Sequence, residues 1–351
     1  MTARREVLLP WGVAVLATAL TGWLLWLLDV PSPMLFAGLV GGGVLALWLE
    51  RPPQLGRVAS RSAQAVIGTT IGATITLSAL RGLAEDWQPA VIVTVATLAL
   101  SIAGGFALAM WGGIGRLTGV LAMIAGGAST LTAIARDLGG DERIIAVIQY
   151  LRVLLILITL PAIALIVFSA SSGPSADEPP TELWSDVLFL VISVTVGSFI
   201  GWLVPIATFF LLGPMIIAAA IAISGVLGAV QVPPLVVAAC FLVLGLQVGL
   251  RFTRESLRTI ARLLPGAALM TALVIAGSGL LGWALAAVTG IDGLTAYLAT
   301  TPGGLPAVLA IAADSSADAT YVFAVQMARL LMVLALAPLL SRWLAHEPDA
   351  D

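Results

Sequence analysis

The stretch FAVQMARLLMVLALAPLL, residues 323–340, is long and apolar enough to lie in a membrane, yet it carries Gln326 and Arg329 one helical turn apart. An arginine near the centre of a membrane helix costs roughly 2.5–3.5 kcal/mol on insertion scales. The same pattern of Gln, Arg and Pro occurs earlier, in AVIQYLRVLLILITLPAI at 146–163, where Gln149 and Arg152 hold the equivalent positions. Polar residues that recur together at one spacing indicate an internal duplication.

The recurrence extends to other residues that are uncommon in lipid. We call the separation of Gln149 from Gln326 the repeat spacing. Leucine matches would mean little in an apolar chain, whereas coincident Gly-Gly, Asp and Pro residues indicate that one half of the chain copies the other. A further match pairs Pro33 and Met34 with Pro214 and Met215 if the spacing drifts by four positions. The matches at the repeat spacing are Gly126-Gly127 with Gly303-Gly304, Asp137 with Asp314, Asp141 with Asp318, Pro161 with Pro338, Gly68 with Gly245 and Gly72 with Gly249.

The composition is that of a chain built for lipid. Of its 351 residues, 60% are hydrophobic and 10% are charged, whereas soluble domains carry about 25% charged residues. Several runs reach the ~20 apolar residues that a helix needs to cross a bilayer. The sequence therefore predicts an all-α polytopic membrane protein. Its ten predicted transmembrane helices lie near 9–28, 32–49, 62–80, 89–113, 143–168, 187–207, 209–230, 233–251, 263–288 and 320–340.

A polar stretch, SASSGPSADEPPTELWSD at 169–186, divides these helices into two sets and is typical of a solvated linker. The basic start of the chain precedes a long apolar run with a second span close behind it, which favours an uncleaved first helix over a cleaved signal peptide. We therefore predict a first membrane repeat at 1–168, an extracytoplasmic linker at 169–186, a second membrane repeat at 187–345 and a cytoplasmic tail at 346–351.

Between the last two helices of each set lies a segment that Gly-Gly interrupts, at 119–141 and at 290–318. If both segments cross the membrane fully, the repeats are parallel and the arginine cluster at 251–262 faces outside, although arginines collect in cytoplasmic loops. If both dip in and return, each half has five spans, the repeats are inverted, and every basic cluster and both termini are cytoplasmic. We favour inverted repeats with re-entrant segments; a broken helix that crosses fully is the competing geometry.

Non-helical backbone at membrane depth is tolerated only where it is buried in protein or lines a watery cavity. The helix after each break would point free N–H groups at a ligand, although glycine contacts between helices give the same pattern. Arg152 and Arg329 lie about 14 Å along their helices, near the midplane. Either they attract an anionic substrate, or they cap carbonyls that the broken segments free. The predicted substrate-binding residues are Gly126, Gly127, Ser129, Thr130, Gln149, Arg152, Gly303, Gly304, Gln326 and Arg329.

Aspartates follow each broken segment. Asp137 and Asp314 are candidates for binding a coupling Na⁺ or H⁺, because carboxylates carry out this task in ion-coupled carriers. A solvated helix end is the plainer interpretation of these residues, and above all of Asp141 and Asp318 four residues further on.

Other classes of function find little support in the sequence. Cys240 is the only cysteine and His346 the only histidine, so we predict no metal centre and no cofactor. The net charge is −3 and no basic block is present, which argues against nucleic acid as a partner. No nucleophile–base pair stands out, so we predict no enzymatic activity. The predicted partners are the lipid bilayer and a small molecule or ion, and a homodimer is compatible with the sequence.

The sequence resembles the bacterial AbrB family of membrane proteins, whose members carry a duplicated domain. The residues that carry the resemblance are GGASTLTAIARDLGGDERIIAVIQYLRVLLIL (126–157) and TPGGLPAVLAIAADSSADATYVFAVQMARLLMVLALAP (301–338), and it covers nearly the whole chain. Two labels used in this family fit the chain poorly, because an ammonia monooxygenase needs a metal site and a transcription factor needs a basic soluble domain. In layout the chain is also similar to carriers of the citrate and glutamate type, which implies transport without fixing a substrate.

These features predict a protein of the bacterial cytoplasmic membrane that transports a small, anionic solute. As a secondary transporter it would work by alternating access, with its site at the midplane where the repeats meet. The alternative is a membrane-embedded sensor or regulatory protein that affects gene expression indirectly.

Overall fold

The computed structural model of the protein describes residues 2–49, 52–77, 81, 87–125, 140–169, 183–203, 209–254, 258 and 261–345, with side chains for all of these except 2–8, 334 and 337–345. Within these ranges the chain is helical and contains no β-strand. The described helices are α1 (Thr2–Leu27), α2 (Pro33–Trp48), α3 (Arg57–Thr74), α4 (Trp87–Gly112), α5 (Arg116–Met123), α6 (Glu142–Ile166), α7 (Leu183–Leu203), α8 (Phe209–Ser224), α9 (Pro234–Gly249), α10 (Leu264–Thr289), α11 (Gly293–Thr300), α12 (Leu305–Ala313) and α13 (Ala319–Ala345).

Each of the ten predicted transmembrane segments overlaps one of these helices, but two helices end clearly earlier than the sequence indicates. The prediction that the third continues to residue 80 is wrong, because α3 stops at Thr74 and Ile75 is extended. The prediction that the seventh continues to residue 230 is also wrong. α8 stops at Ser224, and Gly225 and Gly228 follow with φ values of 66° and 69°, the left-handed conformation that commonly ends a helix.

The second Gly-Gly segment is a broken helix. α11 has 8 residues, α12 has 9, and residues 301–304 between them are not helical. At about 1.5 Å per residue, neither helix reaches across the roughly 30 Å of a hydrocarbon core. In the first half, α5 likewise has 8 residues, and the candidate residues Gly126, Gly127, Ser129, Thr130 and Asp137 lie outside the described residues.

The helices recur at the spacing found in the sequence. Both ends of α10 follow those of α4 at the repeat spacing, as both ends of α11 follow those of α5 and the start of α13 follows that of α6. The two halves therefore share a helix order and nearly the same helix lengths. The expected match of Pro33 with Pro214 is wrong, since Pro33 begins α2 whereas Pro214 lies inside α8 and packs against Gly197.

The chain forms two compact units, and each unit combines helices from both halves. The first unit consists of Met1–Ala84, Pro161–Thr253 and Pro306–Thr320, and the second of Glu85–Leu160, Arg254–Leu305 and Tyr321–Asp351. In the first unit α2 packs on α1 and α9, and α3 packs on α7, α8 and α9. In the second unit α10 packs on α4 and α11, and α4 packs on α5.

Glycine allows the helices of the first unit to approach at backbone distance. A Cβ atom at Gly42 of α2 would lie 2.6 Å from the carbonyl oxygen of Leu246 on α9, and one at Gly38 would collide with the carbonyl oxygen of Leu242. In return, a Cβ at Gly245 or Gly249 of α9 would collide with backbone of α2. Small residues at helix crossings are the usual way to gain dispersion contacts in lipid, where burial of apolar surface gives no drive to associate.

The second unit has an aliphatic core built around α5. Residues Val120, Leu121, Ala122 and Met123 of this short helix are fully buried, and they pack against residues of α4, α6 and α10. A helix on the surface of a protein has one exposed face, whereas a helix inside a bundle is buried on all sides. The burial of this 8-residue helix is of the second kind. α5 is therefore fixed by its neighbours from Thr118 to Met123.

The outer surface is apolar. All nine tryptophans whose side chains are described are exposed, although tryptophan is mostly buried in soluble proteins and enriched at membrane interfaces. Five described helices are long and apolar enough to cross a membrane. The helix lengths and exposed surface are those of a polytopic membrane protein. The five stretches are Leu9–Leu27, Trp87–Gly112, Glu142–Ile166, Leu183–Leu203 and Leu264–Thr289.

The close approach of α2 and α9 predicts a sharp difference between two glycines of the same helix. Gly38→Ala should lower the free energy of unfolding by about 1–3 kcal/mol, as overpacking does, because its methyl group would meet backbone that cannot move aside. Gly43→Ala is the matched control, since nothing lies within 4 Å of a Cβ atom at Gly43. Thermal unfolding of both variants in detergent is the measurement, and equal midpoints would contradict the packing.

Candidate functional site

The candidate site is built around two helices that stop inside the second unit. α5 ends at Met123 and is followed by Ile124 with φ −70° and ψ 129°; α11 ends at Thr300 and is followed by Thr301 with φ −56° and ψ 129°. Both ends thus turn abruptly into extended backbone. The last four carbonyls of any helix lack partners within that helix, and here they point into the interior of the protein.

In the second half, side chains of α13 bind these free carbonyls. Gln326 donates through Nε2 to the carbonyl oxygens of Leu298 and Thr301, at 2.9 and 3.0 Å. Arg329 donates through Nη1 to those of Thr300 and Thr301, at 3.4 and 3.1 Å. Its Nη2 donates to Oε1 of Gln326. One Gln–Arg pair therefore closes the end of α11.

In the first half, α6 does the same for α5. Gln149 donates through Nε2 to the carbonyl oxygen of Leu121, and Arg152 donates through Nη1 to that of Met123, both at 2.9 Å. Leu298 and Thr300 follow Leu121 and Met123 at the repeat spacing, so the duplication also relates the acceptors. Of the two interpretations left open by the sequence, the capping of freed carbonyls is what these hydrogen bonds show.

The site carries an unbalanced positive charge. Gln149, Arg152, Gln326 and Arg329 are 1%, 4%, 3% and 5% exposed, and the two guanidinium groups repel each other. No carboxylate pairs with either arginine among the described residues. Partial negative charge at the two helix ends, about half an elementary charge each, is what holds them. The capping is therefore electrostatic as well as geometric.

The two capping pairs differ in how completely they are bonded. Arg329 makes bonds through both Nη atoms, whereas Arg152 makes one bond, through Nη1. Nε of each arginine is buried without a hydrogen-bond partner, and so is Oε1 of Gln149. The equivalent atom of Gln326 accepts from Arg329. In the first half, Nη2 of Arg152 and Oε1 of Gln149 thus make no hydrogen bond with a described residue, whereas the equivalent atoms of Arg329 and Gln326 bond to each other.

The second Gly-Gly tip also lies in this unit. Gly303 is buried and Gly304 is half-buried, and a Cβ atom at Gly304 would lie 3.7 Å from Cγ1 of Val153, the residue after Arg152. The structure therefore brings the tip of the second half against the helix that carries the arginine of the first half.

Asp141 and Asp318 cap helices. Oδ1 of Asp141 accepts from the backbone N–H groups of Arg143 and Ile144 at the start of α6, and Oδ1 of Asp318 accepts from that of Thr320 at the start of α13. Both side chains are exposed, which matches the expectation of solvated helix ends. Asp314 is half-buried in the first unit.

Asp314 makes a contact that the sequence does not indicate. Its carboxylate accepts from the backbone N–H of Ser32, which precedes α2 with a φ of 55° and makes no side-chain cap of its own. The hydroxyl of Ser32 instead donates to the carbonyl oxygen of Ala310 on α12, at 3.1 Å. The carboxylate thus takes the place of the missing cap, where the helix dipole favours a negative charge. Ser32 before Pro33 is a recognisable helix start, but its partner is distant in the sequence.

No metal centre is evident in the ranges that the structure describes, where no three His, Cys, Asp or Glu side chains lie close enough together to hold an ion. The chemistry that the arrangement offers is the binding of negative charge in a water-poor interior.

The model of a known family, described as "Transition state regulatory protein AbrB", matches residues 34–345. The chain belongs to the AbrB family. Both capping pairs and the second Gly-Gly tip fall within the matched residues.

Two relatives in this family match almost their whole length. A protein of Escherichia coli K12 named "Putative regulator AbrB" is 30% identical over 345 residues, covering 96% of this chain and 97% of its own. A Bacillus subtilis protein named "Uncharacterized protein YhjN" is 24% identical over 366 residues, covering 96% of this chain and 93% of its own.

The difference between the two capping pairs predicts unequal effects of one substitution at two equivalent positions. Gln326→Leu removes two hydrogen bonds to carbonyls and the acceptor of Arg329, whereas Gln149→Leu removes one hydrogen bond. Each buried polar group left without a partner costs about 1–3 kcal/mol. Gln326→Leu should therefore lower the thermal midpoint in detergent more than Gln149→Leu does. The reverse order would show that the bonds of Gln326 contribute little.

Proposed function

We propose that this AbrB-family chain is a secondary transporter of the bacterial cytoplasmic membrane that carries a small anion. The observation behind the proposal is the pair of buried guanidinium groups without a carboxylate partner among the described residues. Moving an anion through a medium of low dielectric constant requires fixed positive charge along its path. A centre that only braced helices would be more stable with a carboxylate to balance each arginine.

The arrangement of helices supports alternating access as the mechanism. In transporters built from repeats, the substrate site is formed by discontinuous helices, and one body rocks against another. Here a helix is broken at Gly303-Gly304, and each of the two compact units contains helices from both halves. We propose that the halves are inverted repeats, with short helices α11 and α12 as a re-entrant segment, and that both termini are cytoplasmic.

The source of energy would be an ion gradient, or the solute gradient itself. The sequence contains no Gly-rich nucleotide-binding motif that ends in Gly-Lys-Ser or Gly-Lys-Thr. As a carrier, the protein would catalyse no covalent change.

A regulatory role is the second candidate. The family description and the name of the E. coli relative both refer to regulation. A membrane-embedded regulator would act on gene expression through a cytoplasmic partner, so reproducible co-purification of one such protein would favour this role over transport.

Transport can be tested with the purified full-length chain in proteoliposomes. We expect uptake of at least one labelled small anion above the level of protein-free liposomes. Arg152→Ala and Arg329→Ala should each reduce it by about tenfold or more, since each removes half of the positive charge that offsets the charge of the solute. Size-exclusion profiles and thermal midpoints show which variants remain folded. Normal uptake by both folded variants would refute the anion site, and absence of uptake of every anion under every gradient would refute transport.

Ion coupling can be tested at Asp314. Asp314→Asn keeps an oxygen that can accept from the backbone N–H of Ser32 but cannot release a proton. If this carboxylate carries the coupling ion, the variant should lose uptake against a gradient while it still exchanges internal for external solute. Uptake against a gradient at the normal rate would exclude Asp314 as the coupling residue without affecting the proposed anion site.

A further inference from the structure

We propose that the two arginines have different tasks, with Arg152 binding the solute and Arg329 bracing α11, and that the solute is a 2-hydroxycarboxylate. The inference rests on the proposed anion transport and adds the class of anion and the residues that recognise it.

Arg329 is occupied by protein. Its Nη1 donates to the carbonyl oxygens of Thr300 and Thr301, and its Nη2 donates to Gln326. Nε alone is without a partner. Nη2 carries two N–H bonds and Gln326 takes one of them. Arg329 therefore has fewer free donors for a ligand than a guanidinium group that makes a single hydrogen bond.

Arg152 has the same edge open. Its one hydrogen bond leaves from Nη1 to the carbonyl oxygen of Met123, at 2.9 Å. Nε is buried and unpartnered, and Nη2 makes no hydrogen bond with a described residue. Nε–H and the neighbouring N–H of Nη2 point in parallel and are spaced to meet the two oxygens of a carboxylate. An open fork of this kind in a side chain that is 4% exposed is suited to bind the two oxygens of a carboxylate.

Gln149 supplies the second recognition element. It lies three residues before Arg152, on the same face of α6, and its Oε1 atom is buried without a partner. An amide oxygen accepts and cannot donate. A ligand that satisfies both side chains therefore combines a carboxylate with a nearby donor, which a hydroxyl group on the adjacent carbon provides.

Charge and proton content count against amino acids, sulfate and simple carboxylates. An amino acid also has a donor beside its carboxylate, but its ammonium group would enter a centre with two guanidinium groups and no carboxylate among the described residues. Sulfate has no hydrogen to donate, so one of its oxygens would face Oε1 of Gln149, lone pair against lone pair. A carboxylate without the hydroxyl would leave Oε1 unsatisfied, as it is in the free protein.

The test compares matched acids on the purified full-length chain in lipid nanodiscs. Affinities are measured by calorimetry at constant ionic strength for lactate against propionate, malate against succinate, and sulfate and glycine. We expect the hydroxy acid of at least one pair to bind about tenfold or more tightly than its deoxy analogue, as a buried acceptor left unpaired implies. Sulfate and glycine should bind more weakly than that hydroxy acid.

Three variants assign the roles. Arg152→Lys should weaken binding of the hydroxy acid about tenfold or more, with a small change in the thermal midpoint without ligand, because Lys keeps the charge but not the fork. Arg329→Lys should lower that midpoint more and weaken binding less. Gln149→Leu should remove the preference for the hydroxy acid while binding of the deoxy acid persists. The opposite ranking of affinity and stability at the two arginines is a result that a purely structural role for both would not give.

The failures are distinguishable. Equal binding of hydroxy and deoxy acids, tighter binding of sulfate, or a larger affinity loss in Arg329→Lys than in Arg152→Lys would overturn this inference while anion transport stands. If no anion of any class binds or is taken up, both the inference and the proposed function fail.

Discussion

The structure of the second unit depends on one requirement, which is that a helix ending inside an apolar interior must still find partners for its last carbonyl groups. Water is not available there, and each unsatisfied group costs several kcal/mol in a membrane. α5 and α11 each end after 8 residues, so the requirement arises twice. The next long helix of each half meets it with a glutamine and an arginine, which explains why such costly residues lie in apolar helices.

This solution has an electrostatic consequence. A buried arginine is normally balanced by a carboxylate, and the pair is then neutral. Here the counter-charge is a helix end, which supplies only about half a charge and is fixed in place. Neither arginine pairs with a carboxylate among the described residues, and this is the basis of the anion site that we propose. On this proposal, the same feature that makes broken helices tolerable would also attract an anion.

Much of this organisation could be predicted from the sequence, and the limits have physical causes. The ten helices follow from apolar runs, and the break between α11 and α12 follows from Gly303-Gly304 between prolines. Spacing alone predicted that Gln326 and Arg329 correspond to Gln149 and Arg152. It could not predict that one pair is more completely bonded than the other, because this depends on side-chain rotamers and not on residue type. Nor could it find Ser32 as the partner of Asp314, since a contact across most of the chain leaves no local pattern.

The sequence match of Pro33 with Pro214 is misleading for a similar reason. A proline at the first position of a helix and a proline within one look alike in a sequence, although their geometry differs. The glycine contacts give a more reliable alignment of the two halves than the prolines do. Gly72 meets Met215 and Ala219, and Gly249 meets Leu39 and Gly43. The partner helices α2 and α8 are therefore related by a spacing that is one position shorter than the repeat spacing.

These glycine contacts also join the two halves of the chain. α2 packs on α9 and α8 packs on α3, so in each case a helix of one half meets a glycine-bearing helix of the other. Neither half contains the surface that its own glycine faces fit. Expressed alone, one half would leave the grooves beside its glycines unfilled. A second copy of the same half could fill them. Two separate copies of one half could pair in this way only at sufficient concentration, whereas a single chain that contains both halves supplies both surfaces.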